Sequence, residues 1–456
     1  MLLNNKILGG SIMKKKLGTL IAAFLLVSAA ANSETLEERV SRLEKELAQT
    51  KSDMQKKSAT NVVANLSDGF EFHGYARAGM LIDQEGDKGS AFQKAPKKYR
   101  LGNESDTYAE AELVKNFNVG DAKGSFHYML AFGTENWNSW SEIDIATRQV
   151  YADITPLGGP TYWVGKRFYA REDIHINDYY FKDFSGTGAG VQGIKLGNGS
   201  LDLALIGTTP LDFENISKTD KVSRNEYTLH GKYFTGPWSF EAATHYMSDA
   251  DKDYYGNKLE ESAVWGAQGA VNYNLPGFYG SQQGWSKVVL QLGYGLGAGD
   301  GLGGSAAWGG ERDDALSVNL LTFGQSNLTD NLQIMPELGY RYDNNYSGED
   351  VSRHWITTGV RLVNPITKHF AMQYEAGLDY VMAKEKGEES LDAGLFKFTI
   401  APTIKLDTSN FWGRPELRAF VTYGQGFGDD KYIRTNNDGK AEQSGVNFGF
   451  QAEVWF

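Results

Sequence analysis

The amino-acid sequence predicts an all-β fold, an antiparallel transmembrane β-barrel of about eighteen strands with a short α-helical coiled-coil segment ahead of it. Three observations carry this expectation: side chains alternate apolar and polar in twos from Phe70 onward, an export signal opens the chain, and the last strand ends on an aromatic, Phe456. In the closing stretch "VNFGFQAEVWF", Val446, Phe448, Phe450, Ala452, Val454 and Phe456 form one apolar face. Asn447, Gly449, Gln451 and Glu453 form the other, and Trp455 stands among them as the exception.

The N-terminus carries Lys14, Lys15 and Lys16, then the apolar run "LGTLIAAFLLVSAAA" and small residues. That run is shorter than the ~20 residues of a spanning helix, so residues 1–31 read as a cleaved bacterial-type export signal. From 34 to 57, Leu36, Val40, Leu43, Leu47 and Met54 keep heptad spacing with charges between them, the pattern of a self-associating coiled coil. Residues 58–68 read as a linker, and 69–456 as the barrel.

Composition agrees. Of 456 residues, 53 are Gly and 10 Pro, while apolar types reach only 41%, too little for large water-soluble cores of the usual kind. With no Cys, neither a disulfide framework nor thiolate chemistry is available. A net charge of -12 repels phosphate backbones, which argues against a nucleic-acid partner. Past the signal no apolar run is long enough for a spanning helix, so a membrane location requires a closed barrel.

Strand-like segments bounded by Gly, Asn and Asp turns include "FEFHGYARAGM", "TYAEAELV", "SFHYMLAF", "TYWVGKRF", "KVVLQLGYGL", "LQIMPELGYRY" and "ELRAFVTYG". Connections at 79–98, 171–190 and 425–444 are too long for hairpins, and long loops opposite tight turns are the topology of an outer-membrane barrel. The lipid-facing parity must be apolar. Phe70, Phe72, Ala76, Ala78 and Met80 therefore face out and Glu71, His73, Tyr75 and Arg77 face in. Likewise Leu101, Ala109, Ala111 and Leu113 face out, and Arg100, Tyr108, Glu110 and Glu112 face in. First and last strands must pair to close the barrel, which brings Trp455 near Tyr75, with Tyr108 one strand on. Aromatics beside charges suit a pyranose, whose C–H faces stack on rings and whose hydroxyls take hydrogen bonds. The same aromatics would also serve as packing in an obstructed lumen or as an interfacial girdle.

The segments "FHGYARAG", "KYRLGNESDTYAE", "VGKRFYAREDIHINDYYFKDFSGTGAG", "RPELRAFVTYG" and "FGFQAEVWF" resemble the maltoporins, trimeric eighteen-stranded channels for maltooligosaccharides in the bacterial outer membrane. The resemblance spans roughly 69–456. It implies passive sugar diffusion along an aromatic slide, without catalysis or cofactor. Tyr75, Tyr108 and Trp455 match slide positions, Trp140 matches one that reaches into a neighbouring subunit, and Trp265 is added as a further member. One slide position falls near Ile404, where no aromatic stands. Arg77, Arg100, Glu110, Arg148, Arg171 and Asp178 match a polar track, and Tyr180 and Asp183 match a constriction on the third loop, whose return to the wall "GTGAG" allows. Arg148 shares its parity with Ala146, Val150 and Ala152, so its lumen placement requires a bulge. Maltoporins often carry a loop cysteine pair. The matching places lie near Ala91 and Ser105, so the first loop must be held another way. The N-terminal extension is similar to that of the related sucrose porin, while Arg171, Tyr180 and Asp183 keep maltoporin types.

Other classes find less support. A sucrose or β-glucoside porin and a general diffusion porin remain alternatives within the fold. A barrel hydrolase needs a Ser/His pair, and the chain has seven His, no Gly-x-Ser-x-Gly and no His-Glu-x-x-His. "DADKDYYGNKLE" (249–260) resembles a calcium loop, but Tyr254 stands where its glycine belongs, so no metal site is expected. A phage or toxin receptor role has no readable signal in the external loops.

Overall fold

The computed structural model describes residues 69–94, 99–134, 143–208, 225–252, 258–281, 283–304, 314–346, 350–384, 386–387 and 390–456, with 250–252 and 258–261 described as backbone only. The signal, coiled-coil and linker segments, residues 1–68, lie outside the described residues.

Eighteen antiparallel strands form one sheet that closes on itself. They are β1 (Phe70–Asp83), β2 (Thr107–Val119), β3 (Ala122–Thr134), β4 (Asp144–Thr155), β5 (Thr161–Arg167) and β6 (Gly186–Leu196). Next come β7 (Gly199–Thr208), β8 (Glu226–Thr235), β9 (Trp238–Met247), β10 (Val264–Leu275), β11 (Trp285–Gly295) and β12 (Leu316–Thr329). The last six are β13 (Leu332–Asn344), β14 (Ser352–Pro365), β15 (Phe370–Lys384), β16 (Leu391–Lys405), β17 (Glu416–Gly428) and β18 (Ser444–Trp455). Each strand pairs with its sequence neighbour, and β1 pairs with β18 with Tyr75 opposite Trp455. Gly74 and Phe456 exchange backbone hydrogen bonds at 3.1 Å and complete the seam. Closure satisfies the polar groups of every strand edge, which hydrocarbon demands.

Short turns alternate with long loops. At Gly120 and Gly236, φ of +57° and +54° starts a two-residue hairpin that a side chain with a Cβ would strain. The long connections follow β1, β5, β11 and β17, and their described parts are 84–94 and 99–106, 168–185, 296–304 and 314–315, and 429–443.

Burial is inverted relative to a water-soluble protein. On β16, Lys397, Thr399, Thr403 and Lys405 are buried, whereas Phe396, Phe398, Ile400 and Ile404 are exposed on the outside. Alternation puts the apolar side chains of every such strand toward the membrane.

The apolar core inside the wall is supplied by loops. The third loop turns into the barrel as a small ribbon, Glu172–Ile174 with Tyr179–Lys182. Its Ile174, Ile176, Tyr179 and Phe181 cluster with Val289, Leu321, Phe323, Met335 and Trp355 of the wall. Lys182 donates to Glu241 at 2.8 Å, and the Glu172 carboxylate takes Lys182, Lys232 and Lys287. Burial pushes the Glu172 carboxyl up, but the three ammonium groups outweigh it and hold the group down at about 2, below its ordinary 4.5.

Two expectations follow. Val421, in mid-strand on the outer face of β17, should tolerate Leu, whereas Val421→Arg should cost roughly 2–4 kcal/mol in reversible folding into lipid vesicles. Because the folded pKa of Glu172 is depressed, its stabilisation is fully present above the unfolded value and lost as pH falls through the folded one. Thermal unfolding followed between about pH 6 and pH 2 should show this acid-sensitive component, reduced in Glu172→Gln.

Candidate functional site

The expected aromatics meet on one stretch of lumen wall because the closing pairs of the sheet set them side by side. Tyr75 pairs with Trp455 across the seam, and Arg77 pairs with Tyr108 on β2. The rings of Tyr75 and Trp455 are 6.4 Å apart and nearly parallel at 17°, and those of Tyr75 and Tyr108 are 6.1 Å apart. Together they line a cavity of about 390 Å³ whose remaining walls are Arg77, Arg100, Glu110, Arg171, Asp173, His175, Asp178 and Tyr180.

Arg100, from the inward-folded first loop, is the hub of the charged side. Its guanidinium donates to Tyr75 Oη at 2.8 Å, Glu104 at 3.2 Å, Glu453 at 3.4 Å and Asp178 at 3.5 Å. Arg77 forks onto Asp106 at 2.9 and 2.6 Å. Arg171 sits 3.1 Å from Asp183 and lies over the rings of Tyr180 (4.1 Å) and Phe168 (4.2 Å). Burial lifts the Tyr180 phenol to about 12, so it stays protonated and can donate. Burial, reinforced by Arg100, lowers His175 well below the ordinary imidazole range and keeps it neutral.

Arg148 occupies the bulge its parity required: Leu130 pairs with Thr147 and Met129 with Gln149, leaving Arg148 as the extra residue. The ladder shift gives Ala146 the facing of inward Ala131, while Val150 shares that of outward Tyr128. Arg148 reaches Glu110 at 3.7 Å and lies over Phe168 at 5.1 Å. Tyr108 donates to the same Glu110 at 2.5 Å.

Other placements differ from expectation. Trp140 lies outside the described residues. Trp265 is on the outer face of the barrel, 4.5 Å from Tyr246, because on β10 the polar Gln268 and Asn272 take the inward parity. It belongs to the external aromatic band rather than to the lumen. Ile404 also faces outward. Trp412 on the turn 406–415 meets His175 at 5.2 Å, while His175 in turn meets Trp455 at 5.8 Å. Lys405 Nζ holds that turn inward by donating to the Asn410 and Phe411 carbonyls at 2.9 and 3.3 Å. Two residues beyond Trp412, Arg414 covers one face of the Trp455 ring at 3.8 Å. The signal was the "FWGRPEL" that abuts a recognisable strand, but parity says nothing about a turn residue. Among the described residues no cluster of His and carboxylates has the form of a metal site. The acidic stretch 249–260 is described as backbone only from residue 250 on, and not at all at 253–257.

Among solved structures the chain is similar to OccAB1 of Acinetobacter baumannii, with 10% identity, 85% of this chain and 97% of that one covered, and a TM-score of 0.46. It is also similar to OccK11 (OpdR) of Pseudomonas aeruginosa, with 10% identity, 85% and 96% covered, and a TM-score of 0.45. An anion-selective porin from Comamonas acidovorans matches at 10% identity, 84% and 99% covered, with a TM-score of 0.39. The family profile described as LamB porin matches residues 70–456, the whole of the barrel. A closed barrel with an apolar exterior and that match make this chain an outer-membrane porin, a member of the LamB porin family.

Proposed function

We propose that this porin is a sugar-selective channel, working as a homotrimer, that lets maltose and maltooligosaccharides diffuse passively across the outer membrane. The observation that carries the reading is the aromatic row Tyr108, Tyr75 and Trp455 set against a charge ladder that is internally neutralised. Arg77, Arg100, Arg148 and Arg171 each lie against a carboxylate. A ladder of paired charges offers donors and acceptors without a large net field, which suits a neutral polyol better than an ion.

The sugar's apolar faces slide on the rings while its hydroxyls exchange partners along Arg77, Arg100, Glu110, Arg148, Arg171 and Asp178. Tyr180 and Asp183 narrow the passage from the third loop. Trp412 continues the row beyond Trp455, so the slide runs Tyr108, Tyr75, Trp455, Trp412, and the family resemblance adds Trp140 as a residue that reaches into a neighbouring subunit's channel. Each ring contributes a weak site, and several in series give selectivity with rapid release. A channel for sucrose or β-glucosides would use the same row with a differently shaped throat.

Ion conductance of the purified protein in planar bilayers, titrated with maltose, maltotriose, longer maltooligosaccharides and sucrose, tests the reading. Saturable block that tightens with maltooligosaccharide length is expected; no block by any sugar would leave a general diffusion pore. Trp455→Ala should weaken block about tenfold, the equivalent of ~1.4 kcal/mol, with ion flow intact or larger. Trp412→Ala should weaken the block by long chains more than the block by maltose, because it removes the far ring of the row. Equal loss for both would place Trp412 outside the slide.

A further inference from the structure

The first loop carries no cysteine, yet it places Arg100 at the centre of the throat, so something else must fix it. Its anchor is Tyr99, which is 1% exposed and enters the wall where Gly359 of β14 faces Gly377 of β15 as cross-strand partners. A Cβ on Gly359 would come within 2.2 Å of the Tyr99 ring, and one on Gly377 within 2.0 Å. Only a pair of glycines leaves room for the ring. A second pair, Gly424 and Gly445 of β17 and β18, receives Phe92 of the same loop in the same manner. Lys397 Nζ donates to the carbonyls of both Phe92 and Tyr99, at 3.1 and 2.8 Å.

At the bottom of the Tyr99 socket lies Glu337 of β13, 3% exposed. Its carboxylate accepts the Tyr99 hydroxyl from the first loop and, at 2.7 Å, the Asn177 amide from the third. Thr357 Oγ1 lies 3.0 Å from the same hydroxyl. The two loops meet again one residue along, where Arg100 N donates to the Ile176 carbonyl at 3.0 Å. One side chain of the wall therefore fixes both loops that define the passage.

We infer that Glu337, with the Gly359–Gly377 socket and Tyr99, is a positioning device that sets the width of the throat and thereby the channel's selectivity. Glu337 is buried and does not line the cavity. It acts by holding Tyr99, hence Arg100, and Asn177, hence Asp178 and Tyr180. This rests on the sugar-channel reading for its effect on block, but its effect on ion flow stands apart from that reading.

The test uses the full-length protein in planar bilayers, with Glu337→Ala, Glu337→Gln, Gly359→Ala and Tyr99→Phe. Heat-modifiable migration and circular dichroism report whether each barrel has formed. Glu337→Ala and Gly359→Ala should raise open-channel conductance in salt by roughly 1.5- to 2-fold and weaken maltooligosaccharide block by about tenfold. Glu337→Gln keeps an acceptor oxygen at the same place and should return conductance to within about 1.2-fold of the parent. Tyr99→Phe keeps the ring seated and should fall between the two. A change in conductance rescued by Gln, in barrels of unchanged melting temperature, is what a merely structural contribution would not produce. Formed barrels of Glu337→Ala and Gly359→Ala with parental conductance would overturn the proposal. Should Glu337→Ala not form a barrel, Gly359→Ala alone decides, since it leaves Glu337 in place and only fills the socket. If no sugar blocks the parent protein, the sugar reading falls while the conductance comparison still decides the role of Glu337.

Discussion

The structure depends on one constraint: a strand in hydrocarbon can leave no edge unpaired. The pairing of β1 with β18 removes the last two edges, and most else follows from the register it imposes. With Tyr75 opposite Trp455 and Arg77 opposite Tyr108, three aromatics from the first, second and last strands become neighbours, although they are far apart in the chain. The seam that makes the barrel possible is thus also the wall on which the proposed slide is laid. Closure and the proposed slide share the same residues.

The barrel supplies walls but no throat. Alternation turns polar side chains inward, and an interior lined that way is a wide wet bore. The loops narrow it. The third loop brings an apolar ribbon into the bore, and the first brings Phe92, Tyr99 and Leu101; both are then held by charges that the wall already presents. Lys232 and Lys287 beside Glu172, and Glu337 beneath Tyr99, are examples. Buried charges in a water-soluble core would be a burden unless fully paired. Here they are the side of the strand that the membrane cannot take, and the inserted loops give them partners.

Much of this was legible in the sequence because a strand code has period two. Once Phe450 and Phe448 face lipid, Gln451, Glu453 and Trp455 must face the lumen, and Tyr75, Arg77, Tyr108 and Glu110 follow from the neighbouring strands by the same rule. The rule fails where the chain leaves the ladder. Trp412 lies on a turn, where facing depends on how Lys405 draws the backbone inward, so no parity could locate it. Trp265 was open to parity, since Gln268 and Asn272 mark the inward side of β10, but the resemblance overrode that marker. The glycine pairs that seat Tyr99 and Phe92 were invisible because their meaning is in partners across the sheet. Gly359 means little until Gly377 lies beside it.

The bulge on β4 has a consequence for how such a channel can change. Pairing runs Leu130 with Thr147 and then Met129 with Gln149, so Arg148 has no place of its own in the ladder. It is a supernumerary residue: the strand before it and the strand after it are already in the register they would have if it were deleted. Both halves of β4 would keep their facings without it. A residue placed in this way can be gained, lost or exchanged by a lineage without turning any other side chain toward lipid, so the barrel can revise part of its lining while its architecture stays fixed.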